Sequence, residues 1–169
     1  GIYEKGGSQI ALNDLSNAST TYNGVYLRPD PTGLVLGASN NIVIGDGAGN
    51  DLTSGGSSIF IGRFAGKATT SQSHNIFIGD EAGIVNTLGS NIGIGSAALE
   101  LATSSSDNVA IGHQVAKNLT TGDRNIYIGQ NVLAGAVDAS REIVIGNQTT
   151  GNGSNTITLG ATSSTVFYG

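Results

Sequence analysis

Between residues 41 and 150 one short phrase is written seven times, as NIVIGDGAG, SIFIGRFAG, NIFIGDEAG, NIGIGSAAL, NVAIGHQVA, NIYIGQNVL and EIVIGNQTT. The glycine that closes each xIxIG unit falls at Gly45, Gly62, Gly79, Gly95, Gly112, Gly129 and Gly146. The steps between them are 17, 17, 16, 17, 17 and 17 residues, and a clipped eighth copy, TITLGAT, places Gly160 after a step of 14. Self-similarity at so regular a spacing marks a repeat architecture, in which each unit buries its apolar face only by stacking on the next.

With the closing glycine as position zero, positions −3 and −1 carry the pairs Ile42/Ile44, Ile59/Ile61, Ile76/Ile78, Ile92/Ile94, Val109/Ile111, Ile126/Ile128, Ile143/Ile145 and Ile157/Leu159. Two β-branched residues separated by one point to the same face of a strand. These pairs are the expected core ladder. Position +3 is small and nearly always apolar (Ala48, Ala65, Ala82, Ala98, Val115, Val132, Thr149), and the glycines are expected to make tight turns that a Cβ would obstruct. Segments such as NDLTSGGS and KNLTTGDR follow, with Leu52, Leu101 or Leu119 suggesting a second, weaker strand. A glycine in every coil and Ile-x-Ile pairs do not sustain a helical stripe. The expected fold is all-β: a parallel β-solenoid, or β-roll, of about eight 17-residue coils rising about 4.8 Å each.

Two further columns follow from the period. Position −4 reads Asn41, Ser58, Asn75, Asn91, Asn108, Asn125 and Glu142, a column able either to hydrogen-bond along the stack or merely to start each strand as turn residues. Position −2 reads Val43, Phe60, Phe77, Gly93, Ala110, Tyr127 and Val144 and is expected to face outward, opposite the Ile pairs. An outward apolar stripe implies an interface, so a homo-oligomer with this stripe on its symmetry axis is expected. Phe60, Phe77 and Tyr127 are then candidates for the interface or for stacking on a glycan.

Residues 1–33 lack the period and are read as an N-terminal cap or connector. LVLG at 34–37 resembles a degenerate unit, so the repeats are assigned to 34–160 and a C-terminal connector to 161–169. The absent initiator Met points to a processed product or a piece of a longer chain. A net charge of −5 with scattered Lys and Arg argues against nucleic acid. No apolar run is long enough to insert in a membrane as a helix. Charged residues are only 11% of the chain, but the phased apolar residues argue for folding over disorder. Absence of both Cys and Met removes thiolate chemistry and suits exposure to oxidants.

No catalytic set emerges, and no enzyme activity or cofactor is expected. His74 and His113 occupy different parts of the repeat and read as exposed bystanders. DGAGNDLT (46–53) resembles one calcium nonapeptide of the repeats-in-toxin kind, but Asp51 does not recur in the other coils, and Asp80-Glu81 has no partner acid at ligand spacing. A glycan-cleaving spike would need paired carboxylates in a groove, which these scattered acids do not supply.

The 17-residue phrase NIxIGxxAGxxxxTxGS resembles the repeat NTAIGxxALxxNTTGxN of many phage tail-fibre and surface proteins, and is similar to the shorter repeats of trimeric autotransporter adhesin heads. The likeness spans about 41–160. VYLRPDPTG (25–33) resembles a segment recurring in long tail fibres, and NTITLGATSSTVFYG (155–169) one that precedes a cleaved intramolecular chaperone. Phe60, Phe77 and Tyr127 depart from the family pattern, where Ala is usual. The resemblance implies a homotrimeric fibre segment on a virion, or alternatively a bacterial surface adhesin head, with a host glycan or protein receptor as the further partner.

Overall fold

The computed structural model describes the backbone of residues 25–27 and all of residues 38–160. Nine three-residue strands run parallel in one sheet in strictly sequential order. They are β1 (Val25–Leu27), β2 (Ile42–Ile44), β3 (Ile59–Ile61), β4 (Ile76–Ile78), β5 (Ile92–Ile94), β6 (Val109–Ile111), β7 (Ile126–Ile128), β8 (Ile143–Ile145) and β9 (Ile157–Leu159). Like residues sit over like residues: Ile42 pairs Ile59, Phe60 pairs Phe77, and Ile111 pairs Ile128. The chain is a parallel β-solenoid. Its period reaches one coil further back than the repeated phrase, since Val25 pairs Ile42 after a step of 17 although Arg28 stands where the glycine would be. The LVLG segment at 34–37 lies outside the described residues.

Each coil closes through turns. Among the described residues no second strand forms around Leu52, Leu101 or Leu119; one isolated bridge, Leu133 to Thr150, is all that pairs there. Backbone bonds between coils continue through these turns, as from Thr53 N–H to the Thr70 carbonyl and from Leu99 N–H to that of Val115. Stacking is therefore maintained around the circumference, with strand geometry on one side only.

The strand faces are reversed relative to expectation. Val43, Phe60, Phe77, Ala110, Tyr127 and Val144 at position −2 are buried, together with Gly93. None of the expected core ladder is buried: Ile42, Ile44, Ile59, Ile61, Ile76, Ile78, Ile92, Ile94, Val109, Ile111, Ile126, Ile128, Ile143 and Ile145 all lie on the outer face, partly or openly exposed. Phe60, Phe77 and Tyr127 accordingly form no surface for a partner or a glycan. The physical reason is lumen size. A 17-residue coil encloses room for one column of strand side chains, and alternation sends −2 inward with the hydrogen-bonding −4 column.

Inside the coils of β2 to β6 volume is shared between positions −2 and +4. The rings of Phe60 and Phe77 stack with centroids 5.8 Å apart, and Gly66 and Gly83 stand against them. A Cβ at Gly66 would lie 2.5 Å from the Phe60 ring, and one at Gly83 would lie 2.5 Å from that of Phe77. Where −2 is Gly93, +4 is Leu99; where −2 is Ala110, +4 is Ala116, and both +4 residues are fully buried. Large and small alternate so that the interior stays filled at native density.

The closing glycines of β2 to β7 adopt φ between 127° and 141°, as read at Gly45, Gly62, Gly79, Gly95, Gly112 and Gly129. A Cβ at Gly45 would meet the Gly62 carbonyl oxygen at 2.6 Å. Gly146 is not in this left-handed region, and there the coil shortens to reach Gly160.

The sharing of volume makes a prediction. Gly66→Leu alone should abolish the cooperative thermal transition followed by circular dichroism. Combining it with Phe60→Gly, which copies the Gly93/Leu99 pair, should restore a transition at a lower midpoint.

Candidate interaction surface

The outer sheet face is a strip four residues wide in each coil. Alternation within each three-residue strand places the branched pair at −3 and −1 outward, and the residues at −5 and +1 flank that pair just outside the strand. The aliphatic pairs form two parallel columns from β2 to β9, with Ile42, Ile111, Ile126, Ile128 and Ile145 between 36% and 40% exposed. Each Ile covers much of its neighbour in the stack, which is why these values are not higher. Eight strands at about 4.8 Å make the strip about 34 Å long, and two columns about 10 Å wide give roughly 340 Å² of aliphatic surface. That is about the size of the largest apolar patch on a typical monomer, a kind of patch that is often functional.

Asn side chains behind this face lock the coils in register. Asn41 Oδ1 accepts the Ser58 N–H at 2.9 Å, Asn75 Oδ1 that of Asn91 at 3.0 Å, and Asn91 Oδ1 that of Asn108 at 3.1 Å. Asn108 Oδ1 accepts from Asn125, and Asn125 Oδ1 from Glu142 at 2.8 Å. The amide nitrogens turn to the opposite wall: Asn41 Nδ2 donates to the Gly55 carbonyl, Asn108 Nδ2 to that of Gly122 and Asn125 Nδ2 to that of Ala139. Of the two readings of this column, the hydrogen-bonded ladder is the one observed.

The ladder ends on a buried carboxylate. Glu142 Oε2 accepts the Tyr127 hydroxyl and the Gly135 N–H, both at 3.0 Å, while Oε1 accepts the Gly153 N–H at 2.6 Å. Burial first, then the neighbouring Glu142 charge and hydrogen bond, push the Tyr127 phenol well above its ordinary range, so it stays a donor. This network pins the irregular turn after β7 to the last coils. Nothing in the repeat pattern foretold it, although the replacement of Asn by Glu at one place in a column of amides is a visible signal.

Polar columns border the strip. On the −5 side, residues from Asn40 through His74, Asp107, Arg124 and Arg141 hold φ between 56° and 65° and are exposed. On the +1 side, Arg63 Nε lies 2.9 Å from Asp80 Oδ1 and its terminal nitrogen 3.1 Å from Glu81 Oε1. Arg63 and Lys67 also sit over the Phe64 ring, at 4.9 and 5.0 Å from its centroid. His74 and His113 are exposed on opposite borders. Asp46 and Asp51 of the calcium-like segment are exposed as well, and among the described residues no group of three His, Cys, Asp or Glu is placed to hold a metal ion. Among the described residues no helix is long and apolar enough to cross a membrane.

No family model matches the chain, and neither the curated proteins nor the solved structures compared with it give a match. The surface must be interpreted from its own chemistry.

The Glu142 network predicts that Tyr127→Phe, which leaves a buried carboxylate one donor short, lowers stability by about 1.5–3 kcal/mol. Denaturant unfolding of parent and variant reads this directly.

Proposed function

We propose that the chain is a structural and adhesive fibre segment, working as a homotrimer in a phage tail fibre or related virion appendage. The observation that carries this reading is the unbroken aliphatic strip on the outer sheet face. A lone rod leaves it in water, whereas three rods turning their sheet faces to a common axis bury it along their whole length. The stripe expected on the axis from position −2 is thereby replaced by the Ile pairs.

Mechanical properties favour the same role. Hydrogen bonds run from coil to coil along the rod, and the Asn ladder adds side-chain bonds in the same direction, so load is spread over many parallel contacts. The sequence offers no Ser with a phased His or acid partner, and the reading is of a non-enzymatic protein outside the cell. A receptor on the host surface, glycan or protein, would be met at the end of the fibre or along its polar flanks. The flanking segments VYLRPDPTG (25–33) and NTITLGATSSTVFYG (155–169), by their resemblance to tail-fibre segments, favour the virion over the alternative of a bacterial surface adhesin head.

Static light scattering tests the assembly, with three times the 16.9 kDa chain mass expected. Ile111→Asp should yield a monomer that keeps its β-sheet circular dichroism spectrum, because the side chain points out of the coil. A parent chain that is monomeric at micromolar concentration refutes the proposal.

A further inference from the structure

The amide column of the rod contains one carboxylate, Glu142, and the described residues contain one Asn-Gly pair, Asn152-Gly153. The last turn brings the two together. Gly153 N–H donates to Glu142 Oε1 at 2.6 Å, across 11 residues of chain. Oε2 is held by the Tyr127 hydroxyl and the Gly135 N–H, which fixes the carboxylate and leaves Oε1 to Gly153. Asn152 itself is exposed, and its Nδ2 donates to Thr158 Oγ1 at 2.9 Å. Gly153 holds φ at 93°, and a Cβ there would find nothing within 4 Å, whereas one at the neighbouring Gly151 would strike the Glu142 carboxylate. The Gly153 nitrogen therefore has a fixed acceptor on its proton and open space beside the Asn152 side chain.

An Asn followed by Gly can close on its own backbone. Its Cγ and the next nitrogen are separated by the atoms of a five-membered ring, and glycine has no Cβ to obstruct their approach. Closure is limited by the nitrogen, a poor nucleophile until its proton leaves. A carboxylate within hydrogen-bond reach of that proton is placed as a general base.

We propose that Asn152-Gly153 is a self-modification site at which Glu142 is the base. Glu142 Oε1 takes the Gly153 N–H proton as that nitrogen bonds to Asn152 Cγ. The Cγ–Nδ2 bond then breaks, and the leaving nitrogen departs as ammonia, carrying the proton lifted from Gly153 and relayed through water. A succinimide is left, which water opens at either carbonyl to give aspartate or isoaspartate. One amide and one water become one carboxylic acid and one ammonia, with no oxidation and with Glu142 restored. The product lacks the Nδ2 donor that ties this turn to Thr158 of β9, so the last coil is weakened. The reaction occurs once per chain and does not depend on assembly.

Peptide mapping by mass spectrometry, which separates Asn, Asp and isoaspartate at position 152, tests this on the full chain. At neutral pH the folded chain should convert Asn152 at least about tenfold faster than the same chain unfolded in urea. Between about pH 6 and pH 8 a carboxylate base is already ionised. The folded rate should therefore change by less than about twofold over that range, whereas the unfolded rate should climb in proportion to hydroxide. Glu142→Gln keeps an acceptor for the Gly153 N–H while removing the base, and should lower the folded rate at least about tenfold. An Asn152 that persists in the folded parent would overturn the proposal, as would a folded rate that follows hydroxide. A folded Glu142→Gln variant reacting as fast as the parent would do the same; if that variant does not fold, the pH profile of the parent decides.

Discussion

The backbone of each coil lies directly on that of the next, and every other feature of the rod is subordinate to that contact. The Gly62 N–H donates to the Ile44 carbonyl and the Gly79 N–H to that of Ile61; the same bond recurs to Gly160. Such stacking puts equivalent atoms about 4.8 Å apart, a distance at which a misplaced Cβ is intolerable and an amide side chain reaches the next backbone N–H. Glycine at the turn and Asn at the start of the strand are two consequences of one spacing. A rod built this way has little freedom to shift, since a slip of one residue would break both the glycine stack and the Asn ladder together.

The small bore of the coil decides how the apolar residues are divided. One strand side chain per coil goes inward, matched against the residue at +4, and the rest of the interior is filled by small side chains such as Ala65, Ala82 and Ala98 and by buried turn residues such as Leu52 and Leu119. The two branched residues left over go outward. This leaves the branched aliphatic residues of every strand from β2 to β9 on the outer sheet face. In the homotrimer proposed above, this strip is the surface on which the rods meet.

Much of the fold was legible in the residues. Period, strand positions, parallel stacking and pairing register followed from Gly45 to Gly160, because a phrase that recurs every 17 residues can align with itself in one way only. The Asn column was visible as a column. What could not be read was which strand face turns inward. Alternation separates two faces without naming the inner one, and the richer face, Ile-x-Ile, was assigned to the core on hydrophobicity. Two signals in the chain oppose that assignment. Position −4 shares a face with −2 and holds amides needing buried partners, and Phe60/Gly66, Phe77/Gly83 and Gly93/Leu99 vary inversely in size, as residues sharing one space do.

Sequence by itself determined that this chain winds into stacked parallel coils, since local spacing and turn chemistry repeat without ambiguity. Tertiary structure alone decided that Phe60, Phe77 and Tyr127 are interior packing and not contact residues, that the isoleucines form an outer strip, and that Glu142 closes the amide ladder. Those outcomes depend on how much volume a closed coil encloses and on which groups meet across it. Both are properties of three-dimensional closure, and neither is carried by the order of residues along a strand.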